Sequence, residues 1–458
     1  MNRADPSLRW LGRIAGDGAP IYLRMAAALE AAVRAGELQP GDQLPPQRVV
    51  AQALGVDLTT VTRAYSVART RGLLEGAVGR GTFVRSAAAA DEAGRVDLSM
   101  NLPPPPQGIS LSRLLKETTA SILDRTDPAV LMAYHPGGGS LGQRVAGAAW
   151  LEPVLGGIPP ERVLVAPGAQ TALAAVLALA PAGSALVVEP LVYPGVISAV
   201  RQLGLRLLVC PADVGGLDPE ALARVCAAEK PAAVYVTPTT NNPTAATMDA
   251  GRRAAIAEAA RAARIWIVED DPYARLFDAP LPALANLAPE RTFHIATLSK
   301  CLSPGLRTAY LVPPPGPTGA ATAEALRALA QMPAPLMTAV VSAWIREGTA
   351  EALLAGVRRE ARARRVVAAE VLPAARGAVE SLHVWLDLPP ERDPARLRGL
   401  AQEKGLALVT ADAFAAGPDH PNGLRISLGG PAKQAVLRTA LEGVAALLSG
   451  PPPARSVV

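Results

Sequence analysis

Within Ala296-Thr297-Leu298-Ser299-Lys300-Cys301-Leu302-Ser303-Pro304-Gly305-Leu306-Arg307, a lysine follows two hydroxyl residues and precedes an arginine by seven positions. A lysine amine forms a Schiff base with an aldehyde, while hydroxyls and a guanidinium hold a phosphate. Pro304-Gly305 is turn chemistry that brings the arginine back toward the lysine. Thr297, Ser299, Lys300 and Arg307 therefore fit a phosphate-bearing cofactor with a covalent handle. A single lysine at a strand end also fits a loop cap, so the surrounding elements must decide.

From about Pro159 onward, short Val/Leu/Ile runs alternate with long alanine-rich stretches of helical character. The runs are Val163-Leu164-Val165, Ala185 to Val188, Leu207-Leu208-Val209, Val234-Tyr235-Val236, Ile265 to Val268 and Thr308 to Val312. Strands buried on both faces read this way, which predicts an α/β fold with a mostly parallel central sheet. Ligands of such sheets bind beyond the carboxyl ends of the strands.

The loops at those ends carry complementary chemistry. Gly168-Ala169-Gln170 opens a helix whose N-terminus favours a phosphate. Tyr193, between two prolines at 190 and 194, can cover a planar ring. Asn242 can donate to a phenolate oxygen. Asp270, at the end of the run Ile265 to Val268, can keep a ring nitrogen protonated and make the ring an electron sink, with Tyr273 close behind it.

On these residues, positions 97–450 resemble a fold-type I, pyridoxal-phosphate aminotransferase. The resemblance implies that Lys300 is the Schiff-base lysine, Asp270 the pyridine-nitrogen partner, and Asn242 and Tyr273 the donors to the phenolic oxygen. Tyr193 matches the stacking aromatic, and Gly168, Ala169, Gln170, Thr297, Ser299 and Arg307 match the phosphate cup. Tyr134, in Tyr134-His135-Pro136-Gly137-Gly138-Gly139, resembles the tyrosine lent to a neighbouring subunit's phosphate, which implies a homodimer. Arg425, in Gly423-Leu424-Arg425-Ile426-Ser427, matches the arginine that clamps a substrate carboxylate, beside Asn242. Lys300, Asp270 and Tyr273 are thus the expected catalytic set, with pyridoxal 5'-phosphate as cofactor. One departure is Thr244-Ala245, where the family usually has a glycine after the threonine; a changed loop is expected there.

The N-terminal 85 residues read differently. Ile21, Met25, Leu29, Ala32 and Val33 recur at helical spacing up to Gly36. Gln47 to Leu54 is a short second helix, Gly55 a tight turn, and a third helix starts near Thr59 and stops at Gly72. Leu73 to Glu75 and Thr82 to Val84 then flank the glycine-rich stretch Gly76 to Gly81, a hairpin with Arg80 at its tip. Two helices joined through a glycine, followed by a hairpin, make a winged helix-turn-helix.

Pro20-Ile21-Tyr22, Gly36-Glu37-Leu38, Pro40-Gly41-Asp42, Leu44-Pro45, Arg48, Leu54-Gly55-Val56, Thr60-Val61 and Gly79 to Val84 resemble the GntR DNA-binding domain. That resemblance implies double-stranded operator DNA as partner, contacted by Arg48, Thr59, Thr60, Thr62, Arg63 and Arg80. Asp57-Leu58 stands where the family often has an arginine. Charge agrees with the expectation: residues 1–86 hold eleven arginines, no lysine and seven acidic residues, a surplus of four out of the chain's net +5.

The expected organisation is a winged helix-turn-helix over 1–85, a tether over 86–96 and an aminotransferase-like part over 97–458. The last divides into a large domain (about 110–335) and a small α/β subdomain (about 336–450). The tether leads into the proline arm Pro103 to Pro106, a stiff segment and a candidate hinge. Three scattered cysteines, no histidine spacing for a metal and no apolar leader or long apolar run predict a cytoplasmic chain without disulfides, metal or membrane span.

The combination resembles the MocR subfamily of GntR-type regulators, which implies a transcription factor that binds pyridoxal phosphate and senses an amino acid or amine. Two further readings stay open: a working aminotransferase that exchanges an amino group between an amino acid and a 2-oxo acid, and a scaffold that uses the large part only to dimerise.

Overall fold

The computed structural model describes residues 6–14, 18–39, 41–77, 81–84, 95–135 and 138–449. The chain forms two compact units, Met1–Arg95 with Ser110–Arg113, and Val96–Ile109 with Leu114–Val458.

In the first unit, α1 (Ile21–Arg34), α2 (Gln47–Leu54) and α3 (Leu58–Thr70) precede the hairpin of β1 (Leu74–Ala77) and β2 (Gly81–Val84). Gly55 ends α2 with φ 63°, a left-handed turn that glycine adopts without strain. Asp57 starts α3 by accepting from the Thr59 amide at 2.7 Å, satisfying one of the donors a helix start leaves bare. Met25, Leu29, Val50, Val61 and Tyr65 pack into one core. The sequence reading did not assign Pro6–Arg13, a 3-10 turn whose Trp10 is buried in that core. The predicted wing is present; its tip, with Arg80, lies outside the described residues.

The second unit is built on a seven-stranded sheet. Its strands are β4 (Leu164–Ala166), β5 (Ala185–Val188), β6 (Arg206–Val209), β9 (Ala233–Val236), β10 (Trp266–Asp270), β11 (Thr292–Thr297) and β12 (Ala309–Val312), in the order β4-β12-β11-β10-β9-β5-β6. The short pair β7 (Ala212–Asp213) and β8 (Gly216–Leu217) follows β6. Only β12 runs against its neighbours, so the sheet is mostly parallel, as the apolar runs predict. Every residue of β4, β5, β9, β11 and β12 is buried. The strand ends carrying Asp270 and Thr297 are neighbours, since β10 pairs with β11.

A three-stranded antiparallel sheet of β13 (His383–Asp387), β16 (Gly423–Ser427) and β15 (Val409–Thr410) forms the core of the small C-terminal part. The segment just after Arg95 joins it: β3 (Val96–Asp97) pairs in parallel with β14 (Leu406–Ala407). Leu98 continues this strap, donating to the Ala407 carbonyl and accepting from the Ser427 amide. Two glycines let the strap lie close: a Cβ on Gly429 would run into the Leu102 carbonyl oxygen, and one on Gly430 into that of Asp97. Among the described residues, no helix is long and apolar enough to cross a membrane.

Candidate functional site

At the carboxyl ends of the central strands, the structure gathers most of the residues singled out in the sequence. Asp270 ends β10 and is buried. Its Oδ2 accepts from the Tyr235 hydroxyl at 2.6 Å, while its Oδ1 is buried without a protein partner. Burial raises its pKa to about 6, against the lowering effect of the Tyr235 hydrogen bond. A buried carboxylate oxygen of this kind needs a donor, and a protonated ring nitrogen supplies one. Tyr235, read in the sequence as part of an apolar run, is the partner that sequence reasoning missed.

Lys300 follows β11 and donates from Nζ to the backbone carbonyl of Asn101 at 2.6 Å. Burial first, then the positive charge of Arg425, lowers its pKa to about 8. Such an amine is partly neutral near pH 7, as attack on an aldehyde requires. Thr297 donates to the Ser299 hydroxyl at 3.0 Å and accepts from the Ser299 amide at 3.2 Å.

Arg307 comes back as the Pro304-Gly305 turn predicts. Its guanidinium donates to the Pro167 carbonyl at 3.3 Å. Gly168, with φ 106°, caps the helix Ala169–Leu177, so bare amides and a guanidinium face the same turn. A Cβ on Gly168 would displace the Arg307 guanidinium, and the φ of 106° there strains any residue but glycine. Gln170 bridges to the Gly195 carbonyl at 2.9 Å. Tyr193 stands at the N-terminal end of the next helix; burial and then the Asp270 carboxylate raise its phenol pKa. The orphaned Asp270 oxygen and this glycine-lined cradle fit a protonated ring nitrogen at one end and a phosphate at the other.

Arg425 projects from β16 and is buried, with its guanidinium over the Phe414 ring. It donates to the Asn242 Oδ1 at 2.7 Å and to the Ser99 carbonyl. Burial lowers its pKa to about 10. Ala245, where a glycine was expected, takes φ 56°, the left-handed region that glycine favours. Tyr273 is buried, and its hydroxyl accepts from Asn101 at 2.8 Å. Ser99, Asn101 and His383 also went unread in the sequence, because none stands in a recognisable spacing.

Tyr134 is not enclosed: it is 80% exposed, in a stretch where Val130 and Met132 are each 61% exposed. In the first unit, Arg48 is exposed at the start of α2. The Thr59 hydroxyl donates to Asp57 at 2.6 Å and that of Thr62 to Gln47 at 2.7 Å. Thr60 is half-buried, and the Arg63 guanidinium stacks 4.3 Å from the Tyr22 ring centre.

Comparison with known proteins agrees with both units. Residues 96–443 match the aminotransferase class I and II family, and residues 21–84 match the gntR family of bacterial regulatory proteins. The uncharacterized HTH-type transcriptional regulator YdeF of Bacillus subtilis is 30% identical over 90% of this chain and 91% of its own. The probable rhizopine catabolism regulatory protein MocR of Rhizobium meliloti is 28% identical over 65% of this chain and 66% of its own. Among solved structures, LysN, the alpha-aminoadipate aminotransferase of Thermus thermophilus complexed with N-(5'-phosphopyridoxyl)-L-leucine, superposes with a TM-score of 0.70 at 27% identity, over 79% of this chain and 94% of that one. With a DNA-binding gntR domain ahead of a class I and II aminotransferase domain, whose family cofactor is pyridoxal phosphate, the chain belongs to the MocR subfamily of GntR-type transcriptional regulators.

Proposed function

We propose that this regulator senses an amino acid or a related amine at Lys300 and Arg425, and that the strap Val96–Asn101 carries the signal toward the tether. The observation that carries this reading is the pair of bonds from Arg425 to the Ser99 carbonyl and from Lys300 to the Asn101 carbonyl. The Ser99 carbonyl sits on the guanidinium that the carboxylate of an amino acid would use, and the Asn101 carbonyl sits on the amine that anchors the cofactor. A carboxylate on Arg425 competes with the Ser99 carbonyl, because a charged acceptor binds a guanidinium more strongly than a neutral one.

Loss of that bond loosens a strap that is also a strand partner of the small C-terminal part and leads back through Arg95 to the tether. The effector acts only by its different affinity for the two arrangements of the strap.

Pyridoxal phosphate, when bound, supplies an aldehyde that condenses with a primary amine and a ring that draws electrons. Lys300 anchors it; Asp270 accepts from its ring nitrogen; Tyr193 covers its ring. Asn242 and Tyr273 serve the phenolic oxygen, and Gly168, Ala169, Gln170, Thr297, Ser299 and Arg307 cradle the phosphate. A second copy of the chain covers the exposed Val130, Met132 and Tyr134, which makes a homodimer with Tyr134 reaching the partner's phosphate. Operator DNA is held by Arg48, Thr59, Thr60, Thr62, Arg63 and Arg80.

The test is a footprint on the DNA upstream of its own and adjacent genes, with and without a panel of amino acids and pyridoxal phosphate. A protected site whose occupancy changes with one amine supports the regulator. Rapid transfer of an amino group to a 2-oxo acid, with no footprint, supports the enzyme instead.

A further inference from the structure

A hydrogen-bonded line joins four separate parts of the second unit. It runs from the Asn241 backbone carbonyl to His383 Nε2 at 3.0 Å, from His383 Nδ1 to Asn101 Nδ2 at 3.0 Å, and from Asn101 Nδ2 to the Tyr273 hydroxyl at 2.8 Å. Asn241 belongs to the loop after β9, His383 starts β13, and Asn101 ends the strap. All four residues are buried.

The direction of every proton along this line follows from its first member. A carbonyl only accepts, so His383 Nε2 carries the hydrogen. Burial, and then the charge of Arg425, lowers the imidazole pKa to about 3, so the ring is neutral and its Nδ1 is bare. A bare nitrogen needs a donor, which fixes the Asn101 amide with Nδ2 toward His383. The second hydrogen of the same amide then goes to Tyr273. Flipping the amide would set Oδ1 against the bare Nδ1, so the orientation holds even though Oδ1 is left buried without a partner.

Asn241 itself is held firmly. Its amide Nδ2 donates to Glu189 at 3.0 Å, and its Oδ1 accepts from the Thr244 amide and hydroxyl at 3.3 and 3.1 Å.

One consequence falls on Tyr273. Its oxygen already accepts from Asn101, so its own hydrogen must point elsewhere, and burial keeps the phenol protonated. We propose that Asn101, with its amide locked by His383, is a positioning residue that makes Tyr273 a hydrogen-bond donor toward the cofactor's phenolic oxygen.

This rests on the cofactor placement proposed above. The strap therefore reads the site through a side chain as well as through its carbonyls, and an effector that shifts the strap also turns the Tyr273 proton. The carboxylates and cations near the line are Glu189, Asp270, Lys300 and Arg425, and none of them bonds to His383 or Asn101 side-chain atoms among the described contacts.

The experiment is a pH titration of the visible absorption band of the full-length protein loaded with pyridoxal phosphate. Donation to a phenolic oxygen stabilises its negative charge, so losing the donor raises the pH at which the chromophore gives up its proton. Asn101→Leu is expected to move the midpoint up by about one pH unit, the scale of one strong hydrogen bond. Tyr273→Phe is expected to do the same, and Asn101→Leu added to Tyr273→Phe is expected to shift it no further, since the asparagine acts through the tyrosine.

An unchanged midpoint in Asn101→Leu, or an equal added shift in the Tyr273→Phe background, overturns the proposal. If Asn101→Leu does not fold, Asn101→Asp serves in its place. Its carboxylate would accept the Tyr273 proton and turn it away from the site, so a rise in Asn101→Asp that persists undiminished in the Tyr273→Phe background also overturns the proposal. A wild-type protein without any visible band would instead overturn the cofactor placement.

Discussion

Lys300 Nζ lies 2.6 Å from the Asn101 carbonyl oxygen, although 199 residues separate them in the chain. This bond ties the expected covalent anchor to the strap that follows the tether. It also belongs to an amine whose pKa is lowered to about 8, by burial before any other cause.

The rate at which the cofactor-free protein captures pyridoxal phosphate should therefore depend on pH in a defined way. Below about pH 8 the neutral amine falls about tenfold per pH unit, and above it the neutral form dominates. Stopped-flow absorbance should show a rate that rises up to about pH 8 and then levels. Lys300→Ala should form no visible band at any pH.

Asp270 carries the opposite kind of cost. Its pKa is raised to about 6 by burial, so the folded protein binds a proton that the unfolded chain releases near pH 4. The sign follows: in the cofactor-free protein its ionisation costs nothing below about pH 4, and stability is lost progressively as pH rises from 4 to 6. Asp270→Asn removes this cost, and chemical denaturation of the cofactor-free variant at pH 7 should give about 2–3 kcal/mol more stability than wild type. The same substitution should weaken cofactor retention, because the amide no longer offers the ring nitrogen a charged acceptor.

On the DNA side, Arg48 and Arg63 should separate. Arg48 is exposed at the start of α2, whereas Arg63 stacks on Tyr22 within its own unit. Arg48→Ala should lower operator affinity and reduce the slope of log affinity against log salt by about one. Arg63→Ala should cost roughly 0.5–1 kcal/mol of stability through the lost ring contact and change the salt slope less. Fluorescence anisotropy over a salt series, with thermal unfolding in parallel, distinguishes the two.

What the sequence made legible follows the range of the signals. The parallel sheet, the winged hairpin and the loops bearing Gly168, Tyr193, Asn242, Asp270 and Lys300 are local patterns: apolar runs, turn residues and chemistry at strand ends. Tyr235 was hidden because a tyrosine inside Val234-Tyr235-Val236 looks like core, and only the register of β9 against β10 sets its hydroxyl on Asp270. Asn101 and His383 were hidden for another reason. Their partners lie 172 and 142 residues away, and the role of each depends on which nitrogen carries a proton, which no spacing encodes.

Trp10 shows the same limit in the first unit, where a 3-10 turn ahead of α1 adds this ring to the core of the three helices. The proline arm was a reasonable candidate for the moving part. The structure directs attention to the residues just before it, where Ser99 and Asn101 meet Arg425 and Lys300.

The most direct test of the account is the affinity of the pyridoxal-phosphate-loaded protein for its own upstream DNA, measured by anisotropy across a panel of amino acids and amines. One amine that alters the visible band should also change the DNA dissociation constant by about fivefold or more, and Arg425→Ala should remove the response to that amine when it carries a carboxylate. DNA affinity that no amine moves, together with rapid transfer of the amino group to a 2-oxo acid, would contradict it.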